Sequence, residues 1–232
     1  MEFAVAPAFD PDCARCPRLA GFLAENRRVH PGYFCRPVPP FGDPDPDLLV
    51  VGLAPGLHGA NRTGRPFTGD HAGLLLYATL HAFGYAERPT STAADDGLRL
   101  IGCRITNAVK CVPPANKPEP AEINCCNAFL AAELAGLREG SQILALGQIA
   151  HAAILKALGL RPKTHAFAHG AVHGLAGPGG GALCLYDSYH CSRYNTQTRR
   201  LTPAMFEAVF ARIRQDRKEA ACPSSPSSSP AA

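Results

Sequence analysis

Two groups of residues in this 232-residue sequence have the types and spacing for chemistry. The first is a set of cysteines. Cys13 and Cys16 form a C-x-x-C pair, and Cys111 and Cys126 are separated by 14 residues. Two such pairs can supply four thiolates to zinc or to a 4Fe–4S cluster. C-x-x-C alone is a weak signal, and the 94 residues between the pairs far exceed the spacing of a zinc ribbon. Two residues compete for the fourth position. Ile123, Cys126, Leu130, Leu134 and Leu137 follow helical spacing and share one stripe, whereas Cys125 is expected on the opposite face, so Cys126 is preferred. The competing reading is of scattered buried cysteines acting as small hydrophobes, and it is the one adopted for Cys103 and Cys184. A four-thiolate site would tie the N-terminal arm to the Pro-rich segment 111–120, which has few other means of ordering itself.

The second group is polar and loop-borne: GLAPGLHGANRTGRPFTGD at 52–70, ITNAVKC at 105–111 and DSYHCSRYNTQTRR at 187–200. Each follows an apolar run of strand length, and four such runs occur at 48–53, 100–109, 142–146 and 182–186. Helical patterns separate them. One covers 73–83 and stops at Gly84, a second opens with Pro120 and reaches about Leu137, and a third covers 149–158 before Gly159. A short helical pattern also lies at 18–28, inside an otherwise irregular, Pro-rich stretch from 1 to 47. Alternating strands and helices predict an α/β fold, a parallel sheet with helices on both faces. In such sheets ligands bind beyond the carboxyl ends of the strands, where all three polar loops should converge.

Composition narrows the class. With 46% hydrophobic and 18% charged residues the chain can bury enough surface to fold, which excludes disorder throughout. No window approaches the ~18 consecutive apolar residues of a membrane span, so no membrane association is expected. The N-terminus has no basic stretch followed by an apolar run, which argues against a secretory signal and for a cytoplasmic location. Ten cysteines in such a compartment favour a metal site over a disulfide framework. The net charge of +4 is weak support for a polyanionic partner. One domain is expected over 1–221, with 222–232, CPSSPSSSPAA, a disordered low-complexity tail. His165, His169 and His173 recur every four residues, as in a helical zinc site, but Gly170 and Gly174 break that helix and no zinc site is expected there.

Taken together, CARCPRL at 13–19, the 52–70 loop, NAVKCVPPANKPEPAEINCC at 107–126 and SYHCSRYNTQTRRLT at 188–202 carry a specific resemblance. The chain resembles the uracil-DNA glycosylase superfamily over residues 13–205. Within it the match is to the iron–sulfur families four and five, and most closely to family five. The resemblance implies a 4Fe–4S cluster on Cys13, Cys16, Cys111 and Cys126 and a four-stranded parallel sheet flanked by helices. It also implies hydrolysis of the N-glycosidic bond of uracil, and of other deaminated bases such as hypoxanthine, in double-stranded DNA by base flipping. The product would be an abasic site.

Residue roles follow from the resemblance in the same way. His190 would donate a hydrogen bond to the base as charge develops, and Phe67 would form the floor on which the base stacks. Asn107 would read the Watson–Crick edge. Family four has Glu where this chain has Ala54, and alanine cannot polarise water, so Asp70 becomes the candidate for that task, although an N-cap for the following helix is its plain structural role. His58 and Asn61 are secondary candidates for base or water binding. Arg193, Tyr194 and Asn195 would enter the duplex, and Arg62, Lys117, Arg199 and Arg200 would contact phosphates. No lysine is placed for Schiff-base chemistry, so no lyase activity is expected. A damaged duplex is the expected partner, with no nucleotide cofactor and a monomeric chain. Two alternatives stand beside this reading: a strict family-four-like uracil enzyme, and a non-catalytic damage-binding module that Ala54 favours.

Overall fold

The computed structural model describes residues 9–178 and 180–219; the tail expected at 222–232 lies outside the described residues. In chain order the elements are α1 (Pro17–Val29), β1 (Phe41–Gly42), β2 (Leu48–Gly52), α2 (Ala60–Thr63), α3 (His71–Ala82), β3 (Cys103–Asn107), α4 (Pro120–Ala135), β4 (Gln142–Leu146), α5 (Gln148–Ala157), β5 (Val172–Ala176), β6 (Ala182–Ser188), α6 (Arg193–Gln197) and α7 (Pro203–Glu219).

Every residue of β2 and β4 is buried, as strands covered on both faces must be, and their sequences LLVVG and QILAL carry no alternation. They form the centre of a sheet ordered β1-β3-β2-β4-β6-β5. Val50 pairs with Ile105 on one side and Leu144 on the other, both in parallel. β6 continues the parallel set beside β4. The expectation of a four-stranded parallel sheet therefore needs correction. The sheet has six strands and is mixed, because β1 pairs antiparallel with β3 and β5 antiparallel with β6. Neither edge strand has an apolar run. β1 is two residues long, and β5, VHGLA, holds a glycine and is only partly buried.

Two apolar layers cover the sheet. On one face Leu76 and Leu80 of α3 and Phe206, Phe210 and Ile213 of α7 pack with Leu48, Val50 and Tyr186. On the other, Leu130 and Leu134 of α4 and Ala150 and Ile154 of α5 pack with Leu49, Val51 and Leu185. A third cluster sets Leu19 and Leu23 of α1 against Val109, Val112 and Phe129, beside the cysteines. The expected strand at 100–109 is shortened to Cys103–Asn107. Gly102, at φ +56°, bends the chain before it, and after it the Ala108 and Val109 amides bond to Gly52 and Leu53. His173 lies on β5, so the four-residue histidine recurrence follows no helix.

α7 docks through polar groups as well. The Tyr186 hydroxyl donates to Asp216 at 2.9 Å, and Gln142 Nε2 donates to the Ile213 carbonyl at 2.7 Å. Phe210 is fully buried against Phe83, Tyr85 and Phe206. Truncating it to alanine should cost ~3–5 kcal/mol of unfolding free energy in a denaturant titration. Glu207→Ala, one turn away on the exposed side, should stay within ~0.5 kcal/mol of wild type.

Candidate active site

The loops that follow β2, β3 and β6 meet at the carboxyl edge of the sheet around a cavity of about 270 Å³. Phe67 forms one wall of it. The residue is 6% exposed and sits at φ +53°, a conformation that side chains of L-residues rarely adopt. Its neighbours hold it there. Tyr77 donates to the Pro66 carbonyl at 2.9 Å. Buried Arg65 donates to Asp96 at 2.7 Å, to Ser91 at 2.9 Å and to the Ala94 carbonyl at 2.6 Å, while Thr68 and Ser91 hydroxyls meet at 2.7 Å. Two glycines make room. A β-carbon on Gly73 would lie 1.8 Å from the Phe67 carbonyl oxygen, and one on Gly52 would lie 2.6 Å from the ring.

Asp70 begins α3 with extended backbone, and its Oδ1 accepts from the Gly73 amide at 2.9 Å. Its other oxygen lies against Gly59, where a β-carbon would come within 2.4 Å of it. The carboxylate therefore caps the helix and faces the cavity at once. Asn107 closes β3 at 4% exposure, and its Oδ1 is buried without a hydrogen-bond partner. His190 follows β6, with its ring centroid 5.9 Å from that of Phe67 and the planes 30° apart. Burial holds this imidazole below the ordinary histidine range, with the Asp70 charge pulling in the opposite sense, so the ring is neutral near pH 7. Ala54 also lines the cavity and brings no polar atom to it.

A sequence model of the Uracil DNA glycosylase superfamily matches residues 39–214, which spans the sheet, the cavity and most of α7. The chain belongs to the uracil-DNA glycosylase superfamily. It is similar to the type-5 uracil-DNA glycosylase of Thermus thermophilus, with 49% identity covering 85% of this chain and 90% of the relative. The type-5 uracil-DNA glycosylase of Pyrobaculum aerophilum is 41% identical, covering 88% and 89%. A type-4 uracil-DNA glycosylase from the same organism is 34% identical over 54% of this chain and 57% of its own length.

Not every residue that the superfamily resemblance nominated reaches the cavity. Asn61 is fully buried, with Nδ2 3.5 Å from Cys35 Sγ and its carbonyl accepting from the Cys35 amide. It fixes the N-terminal arm. His58 is exposed and pairs with the Tyr33 hydroxyl at 3.0 Å, so it stands outside the cavity wall. Asn195 donates to the His190 carbonyl at 2.8 Å and is a brace for that residue. Arg62 donates to the Gly69 carbonyl at 3.3 Å and buttresses the turn before Asp70. Arg193 lines the cavity, Tyr194 is 70% exposed, and Lys117 and Arg199 are exposed. Arg200 lies over the Tyr189 ring at 4.6 Å. Three polar side chains of the cavity are not among the residues nominated from the sequence: His71, Asn116 and Ser192. Proximity to Asp70 was the available signal for His71, which bonds Thr196 at 3.0 Å and so links α3 to α6. Asn116 is reached through two successive left-handed residues, Ala115 and Asn116, which no local pattern announces.

Cys13, Cys16, Cys111 and Cys126 line one small cavity, roofed by Leu19, Pro37 and Phe129. Cys125 lines it too, and its side chain bonds that of Cys16. The expectation that Cys125 faces away is therefore corrected. Adjacent helical residues are only ~100° apart, so both can reach one cavity. Burial, with the neighbouring thiols adding to it, pushes Cys16 and Cys111 up to about 12. The Lys110 amide donates to Cys126 Sγ at 3.3 Å. A buried thiol set with an N–H directed at sulfur fits a metal or iron–sulfur centre. Arg18, just beyond Cys16, donates to Glu122 at 2.7 Å and braces α1 against α4.

The neutral burial of His190 has a linked effect on stability. Its folded pKa lies below its unfolded value of ~6.5, so the unfolded chain takes up a proton that the native chain refuses. Wild type should lose unfolding free energy relative to His190→Asn as pH falls through about 6.5, and the difference between them should be constant above about 7.5. Paired urea titrations across that range check it.

Proposed function

We propose that this chain is a monofunctional DNA glycosylase that hydrolyses the N-glycosidic bond of uracil in DNA and leaves an abasic site. Double-stranded DNA is its substrate, and the nucleotide is flipped out of the duplex to enter the cavity. The observation that carries the reading is the grouping around one cavity of an aromatic wall, an unpartnered amide oxygen, a neutral imidazole and a carboxylate. Glycosidic cleavage is dissociative: positive charge grows on the sugar and negative charge on the departing base. Asp70 supplies the anion opposite the sugar and orients the attacking water through the oxygen that Gly73 leaves free. His190 donates to the base oxygen that gains charge, which a neutral ring does without first having to lose a proton to it. Phe67 stacks on the extruded base, and Asn107 Oδ1 accepts from its ring N–H.

Hypoxanthine is a second substrate on this reading. Ala54, Ala60 and Ala72 leave apolar room in the cavity that larger side chains would fill. Exposed Arg193, Lys117 and Arg199 contact phosphates, and Tyr194 occupies the gap left in the duplex. A 4Fe–4S cluster would be held by Cys13, Cys16, Cys111 and Cys126, and when bound it serves as a covalent tie between α1, the Pro-rich loop and α4.

Base release from duplexes carrying uracil or hypoxanthine opposite each normal base tests the reading. Asp70→Asn keeps a competent helix cap, so its stability should match wild type within ~0.5 kcal/mol while release falls ~10²-fold or more. Retained activity in that variant would remove Asp70 from the chemistry and leave it as a cap. His190→Asn should lose a comparable factor. Absence of release by folded wild type from any duplex would leave the damage-binding module that Ala54 favours.

The cysteine assignment is separable by colour. Anaerobically purified wild type should be brown with four iron atoms per chain on the cluster reading. Cys126→Ser should lose the colour and the iron, whereas Cys125→Ser should keep both. The reverse pattern would exchange the two residues' roles, and colourless zinc-loaded wild type would remove the cluster.

A further inference from the structure

Asp187 is fully buried near the end of β6, and its two oxygens face histidines from two other elements. His151, in the first half of α5, places Nδ1 2.7 Å from Oδ1, and His173 of β5 places Nε2 3.1 Å from Oδ2. The three donor groups lie within 4.8 Å of one another. Among the described residues these histidines are the carboxylate's ion-pair partners. The remaining ring nitrogen of His151 is 2.8 Å from the His165 carbonyl oxygen.

This arrangement leaves a charge to be balanced. A buried carboxylate needs a compensating cation. Both nitrogens of His151 face oxygen atoms, Nδ1 the Asp187 carboxylate and Nε2 the His165 carbonyl. With a divalent ion, His151 becomes an ordinary neutral ligand through Nδ1. Its Nε2–H then donates to a backbone carbonyl, the outer-shell bond that metal-bound histidines almost always make. The alternation of His, His and carboxylate donors suits a borderline ion and not a soft thiolate-seeking one.

We propose that His151, His173 and Asp187 form a second metal site, separate from the cysteines, that takes a divalent transition ion with zinc the best match. Two imidazole nitrogens and one carboxylate oxygen are a familiar three-ligand set for zinc, with a fourth position for water or for His165. The His165 ring stands 5.7 Å from that of His173. Two ligands of a tetrahedral zinc at ~2.1 Å are ~3.4 Å apart, so the Asp187–His151 contact must open by about 0.7 Å. None of the three lines the cavity that holds Phe67 and Asp70. The ion is structural, joining α5, β5 and β6 just before the segment that carries His190. The site therefore stands whatever reaction the cavity performs.

The test uses the full chain with its cysteine-bound metal in place, equilibrated with zinc sulfate and freed of excess by gel filtration. Wild type should retain one zinc per chain beyond that retained by His173→Asn, and by His151→Ala. Asparagine preserves a hydrogen bond to Asp187 but is no zinc ligand, so it separates a metal site from a hydrogen-bonded one. At zinc a hundredfold above its Kd, wild-type Tm should rise by about 5 °C or more, with no rise in either variant. Cobalt in place of zinc should lack the thiolate charge-transfer band that cysteine ligation gives. Equal zinc retention in wild type and variants would place the added zinc away from these three residues and overturn the proposal. Zinc-insensitive melting of wild type would overturn it equally, leaving a hydrogen-bonded group of two histidines and a carboxylate.

Discussion

An aromatic residue does not rest at φ +53° on its own preferences; a left-handed non-glycine residue costs of order 1–2 kcal/mol and persists only where its surroundings insist on it. At Phe67 they insist from several directions. Arg65 is anchored by Asp96, whose carboxylate is held far below the usual range by backbone amides and the guanidinium that outweigh its burial. Pro66 is fixed through its carbonyl and Thr68 through its hydroxyl. The loop at 88–98 looks remote from the cavity, yet its buried ion pair with Arg65 is what holds the ring's backbone. Removing one partner of such a pair typically costs 3–5 kcal/mol, because the other is left buried and uncompensated. The cavity wall thus inherits its rigidity from a charge pair one layer behind it.

A second buried charge joins the other two centres. Lys110 is 1% exposed, and its ammonium donates to Thr106 and Glu133 at 2.5 Å each. Thr106 precedes Asn107, while the Lys110 amide points at Cys126 and its chain neighbour is Cys111. The strand end that presents the Asn107 amide and the helix α4 that presents Cys126 are therefore fastened by one side chain. Disorder at the cysteines would reach the cavity by this route.

Much of this was legible in the sequence, and the parts that were not share a cause. The three polar loops follow strand-length segments, two of them unbroken apolar runs, so their convergence could be read from pattern and the parallel-sheet rule. Asp70 could be read twice, as cap and as carboxylate, because both roles use the same position. α7 carries helical spacing at Phe206, Val209, Phe210 and Ile213, but where it docks is not legible, because docking relies on a Tyr186–Asp216 bond that no local window contains. The surroundings of Asn195 and Asn61 are not legible for a related reason. An asparagine side chain can serve a ligand or a neighbouring protein group, and only the fold decides which. His151, His173 and Asp187 lie on three separate elements, so the histidine spacing that draws the eye at 165, 169 and 173 is not the grouping the sheet creates.

The two antiparallel edge strands have a bearing on solubility. A sheet ending at β3 and β6 would expose long, flat, apolar edges, and the buried run from Leu183 to Ser188 would offer free amides and carbonyls to a neighbouring chain. β5 occupies that ladder with a strand that is itself half-exposed and interrupted by Gly174. β1 occupies the other with only two residues, too few to template a further strand. Residues that contribute little to the core thereby close both sides of the sheet against aggregation.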